Sequence, residues 1–276
     1  MSSARSNGCD LYYEEAGEGV PILLIHPAGS TAFTWGTAAD DLARIGRVIA
    51  YDRRGYALSG GEPPRRMSAR TADAAALLER VGAEPAVVVG TSAGAAIAVD
   101  LAVRRPDLVR VVVAHEFPWR YTRHLPTASQ VAALLEIGSL VLRRRQTDAV
   151  EALLRNAYTY REGGTAWDAF PEDWRRIAKE NARAALVDFV NSIGTYPSRM
   201  DLANVNVPVV CSYGARSPTS MFRLTRLLAS AIPTARIHQI EGAGHAAPFD
   251  ATTNFVRLIA DTITSRHRDF AVPARV

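Results

Sequence analysis

The stretch AVVVGTSAGAAIAVDLAVRR, residues 86–105, decides the fold. Its first five residues form a short apolar run, which is typical of a buried strand. The Ala-rich segment from Ala93 onwards has the composition and length of a helix. A G-x-S-x-G sequence, Gly90 to Gly94, joins the two segments without a linker. The stretch therefore predicts a strand, a sharp turn and a helix in direct succession.

Similar segments alternate on both sides of this unit. The apolar runs are continuous rather than alternating, which favours strands that are buried on both faces of a sheet. The alternation of strands and helices predicts an α/β fold with a doubly wound, mostly parallel sheet. The predicted strands span residues 20–26, 47–52, 86–90, 109–115, 207–213 and 235–240, and the predicted helices span 68–81, 93–104, 220–231 and 252–265. The strand at 235–240 is the least apolar, and we expect it near a sheet edge.

The alternation stops between residues 118 and 200, where the sequence is helical in pattern and rich in aromatic residues. We interpret residues 118–200 as an inserted helical cap, and residues 1–117 and 201–276 as the α/β core. A cap at this point would cover the C-terminal edge of the sheet, where open α/β sheets bind ligands. Most of its aromatic residues should pack within the cap, but Trp119, Trp167 and Trp174 are candidates for lining an apolar or aromatic substrate site.

Ser92 lies at the centre of the G-x-S-x-G turn, in the setting of a nucleophile elbow. Such a turn holds the serine hydroxyl above the sheet and over the helix N-terminus, where negative charge is favoured. A serine hydroxyl is a weak nucleophile at neutral pH and requires an adjacent base. His245, in the sequence GAGHA that follows the predicted strand 235–240, is the candidate for that base.

Two backbone donors would be needed to stabilise an oxyanion. One is the N–H of Ala93, directly after the candidate nucleophile. The other should come from the loop HPAGS at residues 26–30. Pro27 has no N–H to donate, so Ala28 is the expected donor and Gly29, which is also a candidate for substrate binding, is the alternative. His26 is expected to order this loop rather than to transfer protons.

The order of these motifs resembles the α/β-hydrolase superfamily over nearly the whole chain. The matching pieces are HPAGS at 26–30, YDRRGYALSG at 51–60, GTSAG at 90–94 and GAGH at 242–245. The resemblance implies a serine-dependent hydrolase without a metal or an organic cofactor. It also implies that Asp52, Arg53 and Gly55 form a structural turn.

The usual triad acid of that superfamily is absent. The loop YGARSPT at 213–219 contains no Asp or Glu, and Ser217 stands in the expected place. Glu116 lies at the C-terminal end of another predicted strand, 109–115, in the sequence HEFP at residues 115–118. This pair of features resembles the zearalenone-lactone hydrolases, which implies that Glu116 is the triad acid. The HPA loop differs from the Asp-Gly-Leu loop of those lactonases. The alternative is that Glu116 forms a salt bridge at the end of its strand.

The leading functional hypothesis is hydrolysis of a carboxylic ester or lactone, including a macrolactone or aromatic lactone, through an acyl-enzyme. The partner is then a small apolar or aromatic substrate. One alternative is a carbon–carbon hydrolase of ring-cleavage products, although those enzymes usually keep the Asp that is missing here. Another is a non-catalytic ligand-binding member of the fold. A serine at position 92 argues against epoxide hydrolases and dehalogenases, which use an Asp nucleophile.

Composition excludes several other classes. The 276 residues are 48% hydrophobic and 22% charged, with no apolar run of the ~20 residues that a membrane span requires. The polar N-terminus lacks the apolar stretch of a secretory signal, so we expect a cytoplasmic protein that does not bind membranes.

The net charge of +4 comes from scattered arginines without a nucleic-acid motif. Cys9 and Cys211 do not form a disulfide framework or a metal motif. A homodimer is compatible with the sequence.

Overall fold

The computed structural model describes residues 2–117, 128–192 and 196–264. Within these ranges eight strands form one sheet. The strands are β1 (Ser2–Ser6), β2 (Cys9–Ala16), β3 (Pro21–Ile25), β4 (Arg47–Tyr51), β5 (Ala86–Thr91), β6 (Val109–His115), β7 (Val209–Gly214) and β8 (Ala235–Ile240). Their order in the sheet is β1-β2-β4-β3-β5-β6-β7-β8. β3 to β8 run parallel, whereas β1 and β2 are antiparallel to their neighbours. The prediction of a doubly wound, mostly parallel sheet is confirmed.

Helices cover both faces of this sheet. In chain order the α-helices are α1 (Thr37–Leu42), α2 (Met67–Val81), α3 (Ala93–Arg104), α4 (Ala128–Leu142), α5 (Gln146–Ala157), α6 (Glu172–Glu180), α7 (Ala182–Ser192), α8 (Arg199–Ala203), α9 (Thr219–Ala231), α10 (Ala247–Asp250) and α11 (Thr252–Thr264). α2, α3 and α9 pack on one face, and α1 and α11 pack on the other. No helix in the described ranges is both long and apolar enough to span a bilayer.

The continuous apolar runs of the strands follow from this two-sided burial. In β3, Leu23 and Ile25 join the cluster under α2 and α3, whereas Ile22 and Leu24 join the cluster under α1 and α11. Successive side chains of a strand point to opposite faces, so a strand covered on both sides requires apolar residues at every position. Cys211 in β7 is fully buried in the same way. β8 lies at the edge of the sheet and is more exposed.

The N-terminal hairpin of β1 and β2 was not predicted from the sequence. β1 and β2 pair from Ser6 with Cys9 onwards, so that only Asn7 and Gly8 form the connection. Both of these residues have positive φ, 46° and 80°, which is the backbone of a type I′ turn. The Asn-Gly pair was the available signal. The flanking strands were missed because they are polar and largely exposed.

The insertion between β6 and β7 contains α4 to α8, and none of its described residues belongs to the sheet. An isolated bridge between Thr159 and Thr165 is its one extended pairing among those residues. Its largest buried side chain is Trp167, packed in a cluster that also contains Ala246 from the core. The insertion therefore rests on the part of the core that carries His245. The domain boundaries at 118 and 200 stay a prediction, since residues 118–127 and 193–195 lie outside the described ranges.

Candidate active site

Ser92 occupies a strained turn between β5 and α3. Its φ and ψ are 51° and −115°, a combination that L-residues rarely adopt. Gly90 and Gly94 make this turn sterically feasible. A Cβ on Gly90 would lie 2.3 Å from the carbonyl oxygen of Gly94, and one on Gly94 would lie 2.0 Å from the carbonyl oxygen of Ile25. The two glycines of the motif are therefore required by close backbone contacts.

The turn places Ser92 at the C-terminal edge of the sheet. The N–H of Ser92 donates to the carbonyl oxygen of His115, at the end of the neighbouring β6, with a distance of 2.9 Å. Ala93 is the first residue of α3. The N–H groups in the first turn of a helix have no partner within the helix, so Ala93 can offer its N–H to a ligand beside Ser92.

His245 is hydrogen-bonded to Glu116, and the structure thus joins two residues that lie 129 positions apart in the sequence. Nδ1 of His245 lies 2.6 Å from Oε2 of Glu116. The other carboxylate oxygen, Oε1, accepts the N–H of Gly214 at 2.9 Å. The Glu116 side chain is fully buried, and the imidazole of His245 is 7% exposed.

The carboxyl group of Glu116 is ionised at neutral pH. Its burial alone raises the pKa, but the hydrogen bond from His245, the electrostatic effect of the His115 and His245 imidazoles and the N–H of Gly214 together outweigh this effect and lower the pKa to about 2. An ionised carboxylate only accepts hydrogen bonds. In the neutral imidazole of His245 the proton is consequently at Nδ1, which leaves Nε2 with a lone pair, as a general base requires.

The loop between β8 and α10, which carries His245, is fixed through the backbone of Gly244. The N–H of Gly244 donates to Oδ2 of Asp250 at 2.8 Å. Its carbonyl oxygen lies 3.1 Å from Nε2 of His115, whose Nδ1 is 3.1 Å from the hydroxyl oxygen of Ser212. Burial lowers the pKa of His115 and keeps it neutral, so Nε2–H donates to Gly244 and Nδ1 accepts from Ser212. His115 and Asp250 were not assigned a role from the sequence, and their position against Gly244 is a tertiary contact that no motif reveals.

The loop after β7 carries no acidic side chain. Ser217 is buried, and its hydroxyl oxygen has no hydrogen-bond partner in the described part of the chain. Gly214, at the start of this loop, instead donates its N–H to Glu116. The loop that lacks the acid therefore helps to hold the carboxylate supplied by β6.

The loop after β3 is held by its carbonyl group at Pro27. Nδ1 of His26 lies 2.8 Å from the oxygen of Pro27, and Nη2 of Arg53 donates to the same oxygen at 3.2 Å. Nε2 of His26 accepts the N–H of Arg53 at 3.0 Å, which leaves the proton of His26 on Nδ1. The C=O and N–H of one trans peptide point in opposite directions. Fixing the carbonyl of Pro27 therefore also fixes the direction of the N–H of Ala28.

A cleft of about 530 Å³, including its open mouth, lies between the insertion and the sheet edge. Its lining is Pro27, Gly29, Ser30, Thr34, Trp35, Thr91, Leu154, Tyr158, Trp167, Phe170, Trp174, Ala178, His245, Ala246, Pro248 and Phe249. Gly29, Trp167 and Trp174, three of the predicted substrate-binding residues, are among them. Trp119 lies outside the described residues. Phe249 also lines the cleft and was not predicted to do so, because it lies four residues after His245 and carries no motif of its own.

Aromatic side chains form one wall of this cleft. The rings of Phe170, Trp174 and Phe249 pack in mutual contact, with centroid distances between 5.1 and 5.6 Å. The ring of Tyr158 lies 5.4 Å from that of His245. Thus the wall extends up to the candidate base.

Ser92 is half-buried and is not among the residues that line the cleft, although its neighbour Thr91 is. Within the described ranges Ser92 makes no hydrogen bond to His245. The two residues share the same sheet edge, because His115 contacts both the N–H of Ser92 and the loop of His245. In structures without a substrate, catalytic hydrogen bonds are often long or poorly aligned. The roles of Ser92, His245, Glu116, Ala28 and Ala93 stay predictions.

The comparison with known families agrees with this architecture. A model of the Alpha/beta hydrolase family matches residues 22–258. The chain belongs to the alpha/beta hydrolase family. The resemblance to this superfamily that was drawn from four short motifs is confirmed.

Two curated proteins and one solved structure illustrate what the chain is similar to. An uncharacterized hydrolase from Bacillus subtilis is 37% identical over 112 residues, which cover 40% of this chain and 41% of the relative. A zearalenone hydrolase from Bionectria ochroleuca is 25% identical, covering 78% of this chain and 80% of its own length. The enol-lactonase from Burkholderia xenovorans has a TM-score of 0.76 at 20% identity, covering 96% of this chain and 100% of that structure. The last similarity establishes the fold alone.

Proposed function

We propose that this alpha/beta hydrolase cleaves a carboxylic ester or lactone through an acyl-enzyme on Ser92. The observation that carries the proposal is the hydrogen bond of 2.6 Å between His245 and the buried Glu116, at the sheet edge where Ser92 turns. A nucleophile, a base and an acid that orients the base are the parts that acyl transfer requires.

In the proposed reaction Oγ of Ser92 attacks the carbonyl carbon, and its proton passes to Nε2 of His245. The imidazolium that forms is stabilised by the carboxylate of Glu116. The negative charge on the carbonyl oxygen is stabilised by the N–H groups of Ala28 and Ala93, each contributing roughly 3 kcal/mol. His245 returns the proton to the leaving alcohol. Water then attacks the acyl-enzyme by the same route and releases the acid.

The cleft supports an apolar or aromatic substrate. Its described lining is dominated by aromatic and aliphatic side chains, and the titratable side chains in that lining are His245 and Tyr158. The relative named zearalenone hydrolase supports a lactone as the substrate class. We propose the insertion as the cap that determines this specificity.

Labelling with a serine-directed fluorophosphonate tests the proposal. The wild type should be labelled at Ser92, as read by intact mass and peptide mapping. Ser92→Ala and His245→Ala should not be labelled, and Glu116→Gln should react at least ~10²-fold more slowly, because a neutral amide does not stabilise the imidazolium. Ser217→Ala is the matched control and should react at the wild-type rate.

Each outcome separates the hypotheses. A normal labelling rate in Glu116→Gln together with a slow rate in Ser217→Ala would show that Glu116 is not the residue that orients His245. An unlabelled wild type would contradict the catalytic proposal and favour a ligand-binding protein. Labelling without turnover of any aryl ester or lactone, but with cleavage of a dienol ketone, would favour a carbon–carbon hydrolase.

A further inference from the structure

A second cavity lies beside the turn that follows β4 and shares no lining residue with the cleft. It has about 250 Å³ of unfilled space including its mouth, and room for about one water-sized group. We name it the arginine cavity. Its lining is Tyr51, Arg53, Arg54, Tyr56, Pro64, Arg70, Asp73 and Asp188.

The arginine cavity holds more positive than negative charge. Arg54 is paired with Asp73, at 2.9 and 2.5 Å. Arg53 and Arg70 share a single carboxylate, that of Asp188, at 2.6 and 2.9 Å. The side chains of these last three residues are at most 5% exposed. Among the described lining residues three arginines thus face two carboxylates, and a buried charge without a counter-charge is strongly destabilising.

Two polar groups in the lining have no partner. The hydroxyl oxygen of Tyr51 and Nε of Arg53 are both buried and make no hydrogen bond within the described ranges. The nearby acceptors are already engaged: Oδ2 of Asp188 accepts from Arg53 and from Tyr56, and the carbonyl oxygen of Pro64 accepts twice from Arg70. The hydroxyl of Tyr51 and Nε of Arg53 can each donate a hydrogen bond, and buried donors without a partner are rare in folded proteins.

We propose that the arginine cavity is a binding site for a monatomic anion of the halide class, which is chloride in ordinary salt solutions. Tyr51 Oη–H and Arg53 Nε–H donate to the ion, and its charge offsets the excess of arginine. Water would fill the space but would leave the positive charge uncompensated. A polyatomic anion such as phosphate is too large for a space of this size.

The bound anion would also stabilise a connection to the candidate active site. Arg53 donates to the carbonyl oxygen of Pro27, in the loop of the candidate oxyanion donor Ala28, and to Asp188 on α7 of the insertion. An anion that binds only the folded state raises its stability by mass action. The expected effect is therefore on the thermal stability of the whole chain, whether or not the protein is an enzyme.

Bromide is the crystallographic probe. Crystals of the wild-type protein grown in sodium bromide, with diffraction measured at the bromine absorption edge, should show an anomalous peak between Tyr51 and Arg53. Crystals in which this position holds density without anomalous signal would contain water, and the proposal would be overturned.

The solution test uses the melting temperature in sodium chloride against sodium gluconate at equal ionic strength. Gluconate is too large to enter, so the melting temperature should rise saturably with chloride alone. Tyr51→Phe should raise the apparent Kd for chloride about tenfold, because one charge-assisted hydrogen bond is lost. Tyr213→Phe, which removes an exposed hydroxyl elsewhere, should keep the wild-type Kd. Equal melting curves in both salts, or an unchanged Kd in Tyr51→Phe, would overturn the site.

Discussion

Ser92 and Glu116 share a rare backbone conformation. Their φ angles are 51° and 48°, a region that costs non-glycine residues on the order of 1 kcal/mol or more. Each residue directly follows a strand of the sheet, Ser92 after β5 and Glu116 after β6. A sharp turn at that point keeps the side chain at the sheet edge. The strain is thus located at two residues that the proposed chemistry uses.

Replacing Ser92 by glycine should leave the fold more stable than replacing it by alanine. Ser92→Gly and Ser92→Ala both lose the hydroxyl, but only glycine adopts positive φ without a steric cost. We expect Ser92→Gly to exceed Ser92→Ala in the free energy of unfolding by roughly 1 kcal/mol, as measured by urea denaturation. The same pair of substitutions at Ser139, inside helix α4, should give the opposite sign. Equal stabilities of the two Ser92 variants would show that the turn stores no strain.

The pKa of Glu116 predicts how stability depends on pH. Its pKa in the folded protein is about 2, below the ordinary value of 4.5, so folding favours the ionised form. Its contribution is full above about pH 4.5 and is lost as the pH falls towards 2. The difference in unfolding free energy between the wild type and Glu116→Gln should therefore decrease, by on the order of 3 kcal/mol across this range. Urea titrations at several pH values from 5.5 downwards would measure it. A difference that is constant with pH would contradict an ionised Glu116 in the folded protein.

At the scale of elements, the loop between β8 and α10 depends on Asp250. Asp250→Ala removes the acceptor for the N–H of Gly244, which holds the loop of His245. We expect kcat to fall by ~10–10²-fold with little change in KM, because a small displacement of a catalytic group is costly. Asp250→Asn keeps an acceptor oxygen and should restore most of kcat. Tyr160→Phe, which removes only the second bond to Asp250, is the control. If Asp250→Asn were as impaired as Asp250→Ala, the charge rather than the acceptor would matter.

The elements that were predicted from the sequence are those whose signal is local. The apolar runs of β3 to β7 predict strands because both faces are buried, and the turn at Gly90–Gly94 predicts the position of Ser92. The hairpin of β1 and β2 was missed since its polar residues lack that signal. The contact between His115 and Gly244 arises only when distant segments meet, so no periodicity or spacing contains it. For the same reason, Phe249 could not be assigned to the cleft beforehand.

At the scale of the whole molecule, charge is distributed unevenly. The chain carries a net charge of +4, and buried arginines occur around Asp188. The described lining of the cleft nevertheless contains no Asp, Glu, Lys or Arg. The core supplies Pro27, Trp35 and Phe249 to this lining, and the insertion supplies Tyr158, Phe170 and Trp174. Two parts of the chain thus combine to form a cleft whose described lining lacks Asp, Glu, Lys and Arg, in a cationic protein.

An uncharged cleft should discriminate against substrates that carry a carboxylate. A carboxylate loses its hydration when it enters the cleft, and burying it without a hydrogen-bonding or charged partner is costly in free energy. We therefore expect kcat/KM for 4-acetoxybenzamide to exceed that for 4-acetoxybenzoate by about 10²-fold, after each rate is divided by that of alkaline hydrolysis. Trp174→Arg places a cation in the lining and should reduce or reverse this preference, whereas Trp174→Phe should keep it. A wild-type preference for the carboxylate would contradict the uncharged site, and an unchanged ratio in Trp174→Arg would mean that the acyl ester binds away from the aromatic wall.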